Sequence, residues 1–479
     1  MYLRESVISG TKWSAVSQFG RQGIQIVTLV ILARLLAPED FGLVGMTTVV
    51  IGFLAIFKDL GTSAAVIQRQ DLSEELLSSV FWLNVLFGLV VMALLYAASP
   101  LVAAFYQESR VVPLLQVLSA TFFISGLSIL HQTLLERDMA FNRMAKVELS
   151  ATVVGAIVGI GAALSGWGVW SLVFQSLAIA LVTTVLLWVF SSWRPRWIFR
   201  WDNLRSVARY SLNLLGFNII NYLARNAPYL LIGRFLGAEA LGYYTLAYKI
   251  ILYPLQNISY LLARVMFPAF SRLQKQLERF RRSYLRVAAS IALVTFPLMM
   301  GLMALAAPFV LAILGEKWEP VIILLIILAP VGLAQSIRST VGVIYLTMGR
   351  TDWMFRWIAV AGSLIVISYV IGLRWGIVGV ATAYAIISIF LIYPNYAIPF
   401  GLIDLRVRKV AKVLWRPLLS SLIMGAVLLL TRHLLLEQIT SVQQLALLIP
   451  LGIMVYFAAI WGLDRPLLLE IWGMVRVKS

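Results

Sequence analysis

The chain has 479 residues, of which 61% are apolar and only 13% charged, with 39 Lys and Arg against 21 Asp and Glu. A water-soluble domain of this size could not solvate its surface with so few charged groups, so the composition predicts a protein that folds in lipid. The absence of cysteine excludes disulfides and thiolate metal sites.

Apolar stretches long enough to cross a bilayer as helices recur along the whole sequence, and each ends in a short polar or basic hinge. The pattern predicts an all-α fold, a polytopic membrane protein of about 14 transmembrane helices. The alternating ten-residue segments of a membrane β-barrel are not seen. The predicted spans are 12–36, 43–67, 78–99, 112–134, 148–165, 168–190, 209–233, 242–267, 285–314, 320–347, 354–373, 376–397, 411–431 and 443–463.

The position of the positive charges indicates how the chain sits in the membrane. If the N-terminus is cytoplasmic, 28 of the 39 Lys and Arg fall in cytoplasmic segments, six in external segments and five within spans. This bias follows the positive-inside rule and predicts a multi-pass protein of the bacterial inner membrane with both termini in the cytoplasm. The net charge of +18 is therefore attributed to topology and anionic lipid headgroups, not to nucleic acid.

The chain contains an internal duplication. The hinge after the first span, Arg34 to Gly42, and the hinge after the seventh, Arg234 to Gly242, both read R-x-L-x-x-E-x-x-G at an offset of 200. Further matches at a similar offset predict two pseudo-symmetric six-helix lobes of like orientation. The predicted divisions are an N-lobe at 1–195, a C-lobe at 196–400 and two extra C-terminal helices at 401–479. Two such lobes are suited to alternating access by rocking, with a static scaffold as the alternative.

Five cations lie within the predicted spans, where a charge costs at least about 2.5–3.5 kcal/mol if it faces lipid. They are Arg21, Lys58, Arg225, Lys249 and Arg338. By sequence, one carboxylate, Asp59, lies at comparable depth, which makes it the candidate ion-coupling group. We therefore expect the cations to line a wet cavity that binds an anion. Structural alternatives are an ion pair for Lys58 and satisfaction of helix carbonyls by Arg225 or Arg338.

Uncharged polar and aromatic groups extend the predicted cavity surface. On the first span, Ser14, Gln18, Arg21, Gln25 and Thr28 form one stripe, and the repeat places Asn218 and Asn221 on the same face of the seventh. On the eighth span, Tyr248, Tyr253, Gln256 and Asn257 are suited to sugar rings, or to an interfacial aromatic belt.

The duplicated hinges carry candidate gate residues at the predicted outer mouth: Arg34, Glu39, Arg234 and Glu239. One interpretation is that they shape two tight turns. The other is a pair between the lobes, such as Arg34 with Glu239, that latches the inward-facing state.

The sequence resembles the Wzx-type polysaccharide flippases of the MOP superfamily, and within it the colanic-acid and exopolysaccharide exporter branch. The resemblance is carried by the spans, the duplication, and the stretch from Leu32 to Gly42 followed by Asp59-Leu-Gly61. It implies a cargo of undecaprenyl-diphosphate-linked repeat units, flipped from the cytoplasmic to the outer leaflet. It also implies no cofactor except a coupling proton or sodium ion, and partners among the polysaccharide polymerase and chain-length machinery.

Two rival functions are weighed against this one. A MATE-like exporter of cationic drugs wants buried carboxylates, which five cations against one acid contradict. A membrane enzyme of polysaccharide assembly needs acid–base groups or a sizeable external loop, and no P-loop, metal cluster or nucleophile motif is found. The two histidines, His131 and His433, are interpreted as interfacial residues near span ends. The sequence therefore predicts a transporter and not an enzyme.

Overall fold

The computed structural model describes residues 2–57, 63, 66, 67, 72–199, 212–435 and 438–476. Within these ranges, side chains are described except at 2–12, 14–16, 212–221, 256–265, 267–269 and 466–476. The regular secondary structure of the described residues is helical throughout, which confirms the predicted all-α class.

Fifteen α-helices follow one another in the described part of the chain. They are α1 (Tyr2–Leu35), α2 (Pro38–Ala55), α3 (Glu74–Tyr106), α4 (Val111–Gly126), α5 (Ile129–Arg137), α6 (Phe141–Leu164), α7 (Trp170–Phe190), α8 (Leu212–Arg272), α9 (Leu277–Ala304), α10 (Ala306–Phe309), α11 (Pro320–Thr347), α12 (Thr351–Gly372), α13 (Gly376–Gly401), α14 (Val407–Leu435) and α15 (Ser441–Arg476). A π-helical turn, Val310–Leu314, and a 3-10 turn, Glu316–Trp318, follow α10, and a second 3-10 turn, Leu373–Trp375, joins α12 to α13.

Each predicted span coincides with helical residues in the described ranges. In the described part of the chain, nine helical stretches are long and apolar enough to cross a membrane, one of them running through both α12 and α13 (Thr351–Gly401). The number is ten if the pair α4 and α5, bent by 42°, is one broken span. A multi-pass membrane protein is thereby confirmed, while the count of fourteen stays a prediction. The fourth predicted span, 112–134, corresponds to the bent pair.

The two duplicated hinges break their helices at equivalent positions. Between α1 and α2, Ala37 is extended (φ −76°, ψ 154°), its N–H donates to Asp40 Oδ2 at 2.9 Å, and Pro38 begins α2. At the equivalent position in α8, Gly237 has φ 85° and ψ −178°, a backbone conformation open essentially to glycine alone. α8 is therefore two helices, predicted spans 7 and 8, joined at Gly237.

The contacts divide the chain into two compact units, Met1–Gly242 and Tyr243–Ser479. In the first unit α3 packs on α4, α6 on α7, and α1 on α6. Glycines permit close helix approach there, since a Cβ at Gly88 of α3 would lie 2.6 Å from the backbone oxygen of Phe122 on α4. The predicted lobes are defined by the repeat and stay a prediction.

In the second unit, α9 lies at the centre of the packing. It contacts α11 and α14, and the Tyr284 hydroxyl shares a 2.9 Å hydrogen bond with Thr340 Oγ1 of α11. The fully buried rings of Phe280, Tyr284 and Phe400 form the core around it. The two C-terminal helices belong to this unit, because Tyr456 of α15 donates to the Leu293 carbonyl of α9 at 2.8 Å.

Candidate functional site

Arg21 lies on α1 facing α6, within a small polar cluster. Its Nη2 donates to Gln18 Oε1 at 2.9 Å, and its Nη1 lies 3.9 Å from Glu148 Oε2 on α6. The same carboxylate oxygen accepts a 2.6 Å hydrogen bond from Ser17 Oγ. The Arg21 Nε is buried with no hydrogen-bond partner among the described residues, so the guanidinium keeps unused donor capacity.

Glu148 corrects the expectation that Asp59 is the one carboxylate at the depth of the cations. The sequence begins the fifth span at residue 148, but α6 begins at Phe141, seven residues earlier. At 1.5 Å per residue this places Glu148 about 10 Å along the helix rather than at its end. Arg21 therefore has an acidic neighbour that the sequence analysis did not assign to it.

The helix α1 is continuous through the predicted first-span stripe, so the stripe residues share one side of it, but they differ in exposure. Gln25 is exposed, whereas Thr28 is buried and donates to the Ile24 carbonyl of its own helix at 2.7 Å. The Thr28 hydroxyl therefore uses its one proton on its own helix. Lys58 and Asp59 lie outside the described residues, and the side chains of Ser14, Asn218 and Asn221 lie outside the described side chains.

The two hinge glycines pack reciprocally within the first unit. A Cβ at Gly42 would lie 1.7 Å from the carbonyl oxygen of Ala238, and a Cβ at Gly242 would lie 1.9 Å from the carbonyl oxygen of Pro38. Gly42 and Gly242 are equivalent at the offset of 200, and so are Pro38 and Ala238. Each repeat therefore offers the same surface to the other, which is the contact pattern of a two-fold axis.

At the first hinge, the charged residue Glu39 pairs with a residue outside the two hinges. Glu39 forms an ion pair with Arg110 of the loop between α3 and α4, and Arg110 also binds Glu108 at 2.8 Å. The hydrogen bond from Arg110 lowers the pKa of Glu108 below its ordinary value. Arg234 lies over the Phe105 ring at 6.0 Å. The pair between Arg34 and Glu239 stays a prediction.

The first half of α8 packs on α2 in the same unit. The Tyr222 hydroxyl donates to the Val49 carbonyl at 2.8 Å, and a Cβ at Gly52 would lie 2.2 Å from that hydroxyl oxygen. Arg225, one turn further along α8, is exposed. The seventh span therefore packs against the second span within this unit.

Lys249 and Arg338 belong to the second unit, and both side chains are exposed. The acidic residues of this unit by sequence are Glu278, Glu316, Glu319, Asp352, Asp404, Glu437, Asp464 and Glu470, all at or beyond predicted span ends. Three of them pair with other cations there: Asp404 with Arg281, Asp352 with Arg350 and Asp464 with Arg416. Lys249 and Arg338 thus lie within predicted spans, whereas the acidic residues of the same unit lie at or beyond the span ends.

A small, partly open cavity with both apolar and polar walls lies beside Arg338 between α11, α12 and α13. Its polar lining consists of Gln335, Arg338, Tyr384, Ser388, Asn395 and Tyr396. Gln335 donates to the Tyr384 hydroxyl at 2.6 Å and Tyr396 donates to the Ala334 carbonyl at 2.9 Å, which fixes these rings. The guanidinium is the cationic group of this cavity.

The tyrosines of the eighth span differ in how deeply they are buried. Tyr244 is fully buried and stacks on Tyr248 with ring centroids 5.9 Å apart, while Tyr248 and Tyr253 are half-buried. Gln256 and Asn257 lie outside the described side chains. Among the members of this set whose side chains are described, Tyr248 and Tyr253 both keep part of their surface exposed.

His131 is not an interfacial residue, contrary to the sequence interpretation. It is fully buried on α5, with the Trp188, Trp193 and Phe81 rings 4.7, 5.5 and 6.1 Å away. Both ring nitrogens are buried without a hydrogen-bond partner among the described residues. A buried polar group without a partner costs about 1–3 kcal/mol.

Replacing His131 with Phe is therefore expected to leave stability unchanged or raise it, by up to about 1–3 kcal/mol, because the aromatic cage is kept and two orphan polar atoms are removed. Thermal unfolding of the purified variant in detergent measures this. A clear drop in the midpoint, with His131→Gln tolerated better than Phe, would show that the imidazole nitrogens bind something in the native protein.

The comparisons with known proteins agree with this architecture. Residues 31–323 match the family model described as polysaccharide biosynthesis protein. The teichuronic acid biosynthesis protein TuaB of Bacillus subtilis strain 168 is 31% identical over 390 residues, 81% of each chain. The lipopolysaccharide biosynthesis protein WzxC of Escherichia coli strain K12 is 29% identical, over 88% of this chain and 87% of that one.

Two solved structures show where the fold belongs. The lipid II flippase MurJ in an inward closed conformation matches with a TM-score of 0.77 and 16% identity, covering 95% of this chain and 99% of that one. An inward-facing MATE multidrug transporter of the MOP superfamily matches with a TM-score of 0.63 and 18% identity, covering 82% and 96%. The chain therefore shares the helical membrane fold of these two transporters, which agrees with the predicted fold class.

Proposed function

Because the chain belongs to the polysaccharide biosynthesis protein family, we propose that it is a flippase for lipid-linked oligosaccharides. Its cargo would be an undecaprenyl-diphosphate-linked repeat unit, moved from the cytoplasmic to the outer leaflet by alternating access. The names of TuaB and WzxC, which concern teichuronic acid and lipopolysaccharide biosynthesis, support a role in exporting a surface glycan.

The observation that carries this proposal is the set of mid-span cations. Arg21 keeps a buried donor without a partner, and Lys249 and Arg338 are exposed in a unit whose acids lie at span ends. Such groups are stable at bilayer depth only if they line water or meet anions. A diphosphate carries two charges and oxygen acceptors that suit a guanidinium fork and an ammonium group.

Orientation, location and partners belong to the same proposal. The protein would lie in the bacterial inner membrane with both termini in the cytoplasm, as the positive-inside bias predicts. The lipid tail of the cargo would stay in the bilayer while the glycan crosses a wet cavity. A polysaccharide polymerase and chain-length machinery would take the flipped unit, and a proton or sodium ion would drive the cycle.

The rival functions are less well supported. A cation exporter would place carboxylates where this chain places Lys249 and Arg338. Among the described residues no group of three or more His, Asp and Glu is arranged to hold a metal ion. The mid-span cations favour a transporter of an anionic cargo, and a membrane enzyme of glycan assembly is the alternative to be tested.

Deleting the gene tests the proposal directly. We expect a lipid-linked oligosaccharide to accumulate on the cytoplasmic leaflet, since its synthesis continues while its transfer stops. Lipid extraction, with a membrane-impermeant glycan label applied to intact and to broken cells, measures the amount and the leaflet. Accumulation on the outer leaflet would contradict a flippase and indicate an assembly enzyme, and re-expression of the wild-type chain is the control.

A further inference from the structure

The polar cluster around Arg21 contains one anion and an incompletely satisfied cation. The Glu148 carboxylate approaches Nη1 at 3.9 Å, beyond normal hydrogen-bond range, while Ser17 donates to it at 2.6 Å. On the guanidinium, Nη2 is used by Gln18 and Nε is buried without a partner among the described residues. Both charged side chains are more than a third exposed, at 36% and 38%, so a ligand can reach them.

A phosphate on Arg21 would change the surroundings of Glu148. Guanidinium binds phosphate through two parallel hydrogen bonds, and Arg21 has donors left for such a fork. The phosphate oxygens would then lie within a few ångströms of the Glu148 carboxylate. Like charges at this distance disfavour each other's ionised form. The phosphate of the proposed cargo cannot lose its charge near neutral pH, so the carboxyl group is the one that must be neutralised.

We propose that Arg21, Ser17 and Glu148 form a proton-linked phosphate site, in which Glu148 takes up one proton when a phosphate group binds Arg21. The carboxylate gains the proton from solvent and becomes a carboxylic acid, and its new O–H donates to a phosphate oxygen. When the phosphate leaves, the proton leaves with it and the carboxylate returns toward Arg21. The inference rests on the proposed function for the identity of the phosphate, and it assigns to Glu148 a role that the sequence suggested for Asp59.

We assign the proton uptake to Glu148 after considering the other charged groups on α6 and on the helices packed against it. The other charged residues of α1 are Arg4, Glu5, Lys12 and Arg34, and each lies at least nine residues from Arg21, about 13 Å or more along the helix. α7 carries no charged residue between Trp170 and Phe190. On α5, His131 is enclosed by aromatic rings, Glu136 accepts a hydrogen bond from Gln132, and Arg137 donates to the Val66 carbonyl. On α6, Arg143 donates to the Phe190 carbonyl, and Lys146 lies two residues before Glu148.

The experiment measures binding of a short-chain prenyl-diphosphate monosaccharide to the full-length protein in nanodiscs. This probe is a diphosphate diester whose two charges are fixed across the neutral pH range. Calorimetry in buffers of different ionisation enthalpy gives the protons taken up per molecule bound. For the wild type we expect close to one proton, and an affinity that falls about tenfold for each unit by which the pH rises, because each bound molecule brings one proton with it.

In the Glu148→Gln variant the amide mimics the protonated carboxyl group. We expect binding without proton uptake, an affinity independent of pH, and a value equal to that of the wild type at its acid limit. The matched control is Glu136→Gln on α5, which should keep the wild-type pH dependence.

Two different failures can be separated. Absence of probe binding to the wild type at every pH would contradict the proposed function itself. Tight binding by the wild type without proton uptake, or unchanged pH dependence in Glu148→Gln, would leave the flippase proposal standing and overturn the role of Glu148.

Discussion

Alanine at Gly42 is expected to prevent the hinges from closing and to reduce glycan export. The new Cβ would lie 1.7 Å from the Ala238 carbonyl oxygen and 2.5 Å from its carbon, and both are backbone atoms that cannot rotate away. Overpacking of this kind costs about 1–3 kcal/mol. If the closed hinge is one of the two states of the transport cycle, that penalty shifts its population about five- to 150-fold.

The distance between the hinges measures this shift. The chain has no cysteine, so Leu35→Cys and Phe235→Cys introduce a unique pair of spin labels at exposed, repeat-equivalent positions. The short distance expected for the closed hinge should dominate in the otherwise wild-type chain and give way to longer distances with Gly42→Ala. Gly242→Ala should do the same, because its Cβ would meet the Pro38 carbonyl oxygen at 1.9 Å.

Gly161→Ala on α6 is the matched control, since a Cβ there meets nothing within 4 Å. Like Gly42→Ala, this substitution raises helix propensity, by up to about 1 kcal/mol, but its new Cβ does not collide with a backbone carbonyl. Unchanged label distances and normal export in Gly42→Ala would show that the hinge contact has no part in the cycle.

The sequence could locate the hinges but not their contact. The repeat R-x-L-x-x-E-x-x-G identified Gly42 and Gly242 as equivalent, and the helices do break five residues before each of them, at Ala37 and Gly237. A repeat states which residues are alike and not which residues touch. The crossing of Gly42 with Ala238 depends on the packing of helices 200 residues apart in sequence, which no local pattern encodes.

Glu148 was missed for a different reason. The apolar run that defines the fifth span begins after it, because Asn142, Arg143 and Lys146 lower the hydropathy of the first two turns of α6. Those residues are nevertheless helical, so the acid lies about two turns into α6, beside Arg21, instead of at the end of the helix. Hydropathy marks where lipid contact begins, whereas the helix begins where the backbone can be capped and packed. Asp59, the acid that the sequence singled out, remains a prediction.

Replacing Lys249 with Ala is expected to abolish most export while leaving the fold as stable as before, or more stable. A charge-assisted hydrogen bond to a phosphate oxygen contributes about 1.5–3 kcal/mol, so its loss should weaken cargo binding about ten- to 150-fold. Removing a cation from bilayer depth has the opposite effect on the empty protein, because insertion of that charge costs about 2.5–3.5 kcal/mol. Function and stability should therefore move in opposite directions.

Export of labelled glycan and thermal unfolding in detergent, measured on the same preparations, test this split. Lys249→Arg should keep part of the export if charge alone matters, and Lys275→Ala, an exposed lysine between α8 and α9, should change neither quantity. A parallel loss of stability and export in Lys249→Ala would mean that the ammonium group holds the helices together, as an ion pair or a carbonyl contact would. Loss of export together with unchanged or higher stability would place Lys249 on the path of an anionic cargo. A cation with a structural role stabilises the empty protein, whereas a cation that binds the cargo lowers the stability of the empty protein.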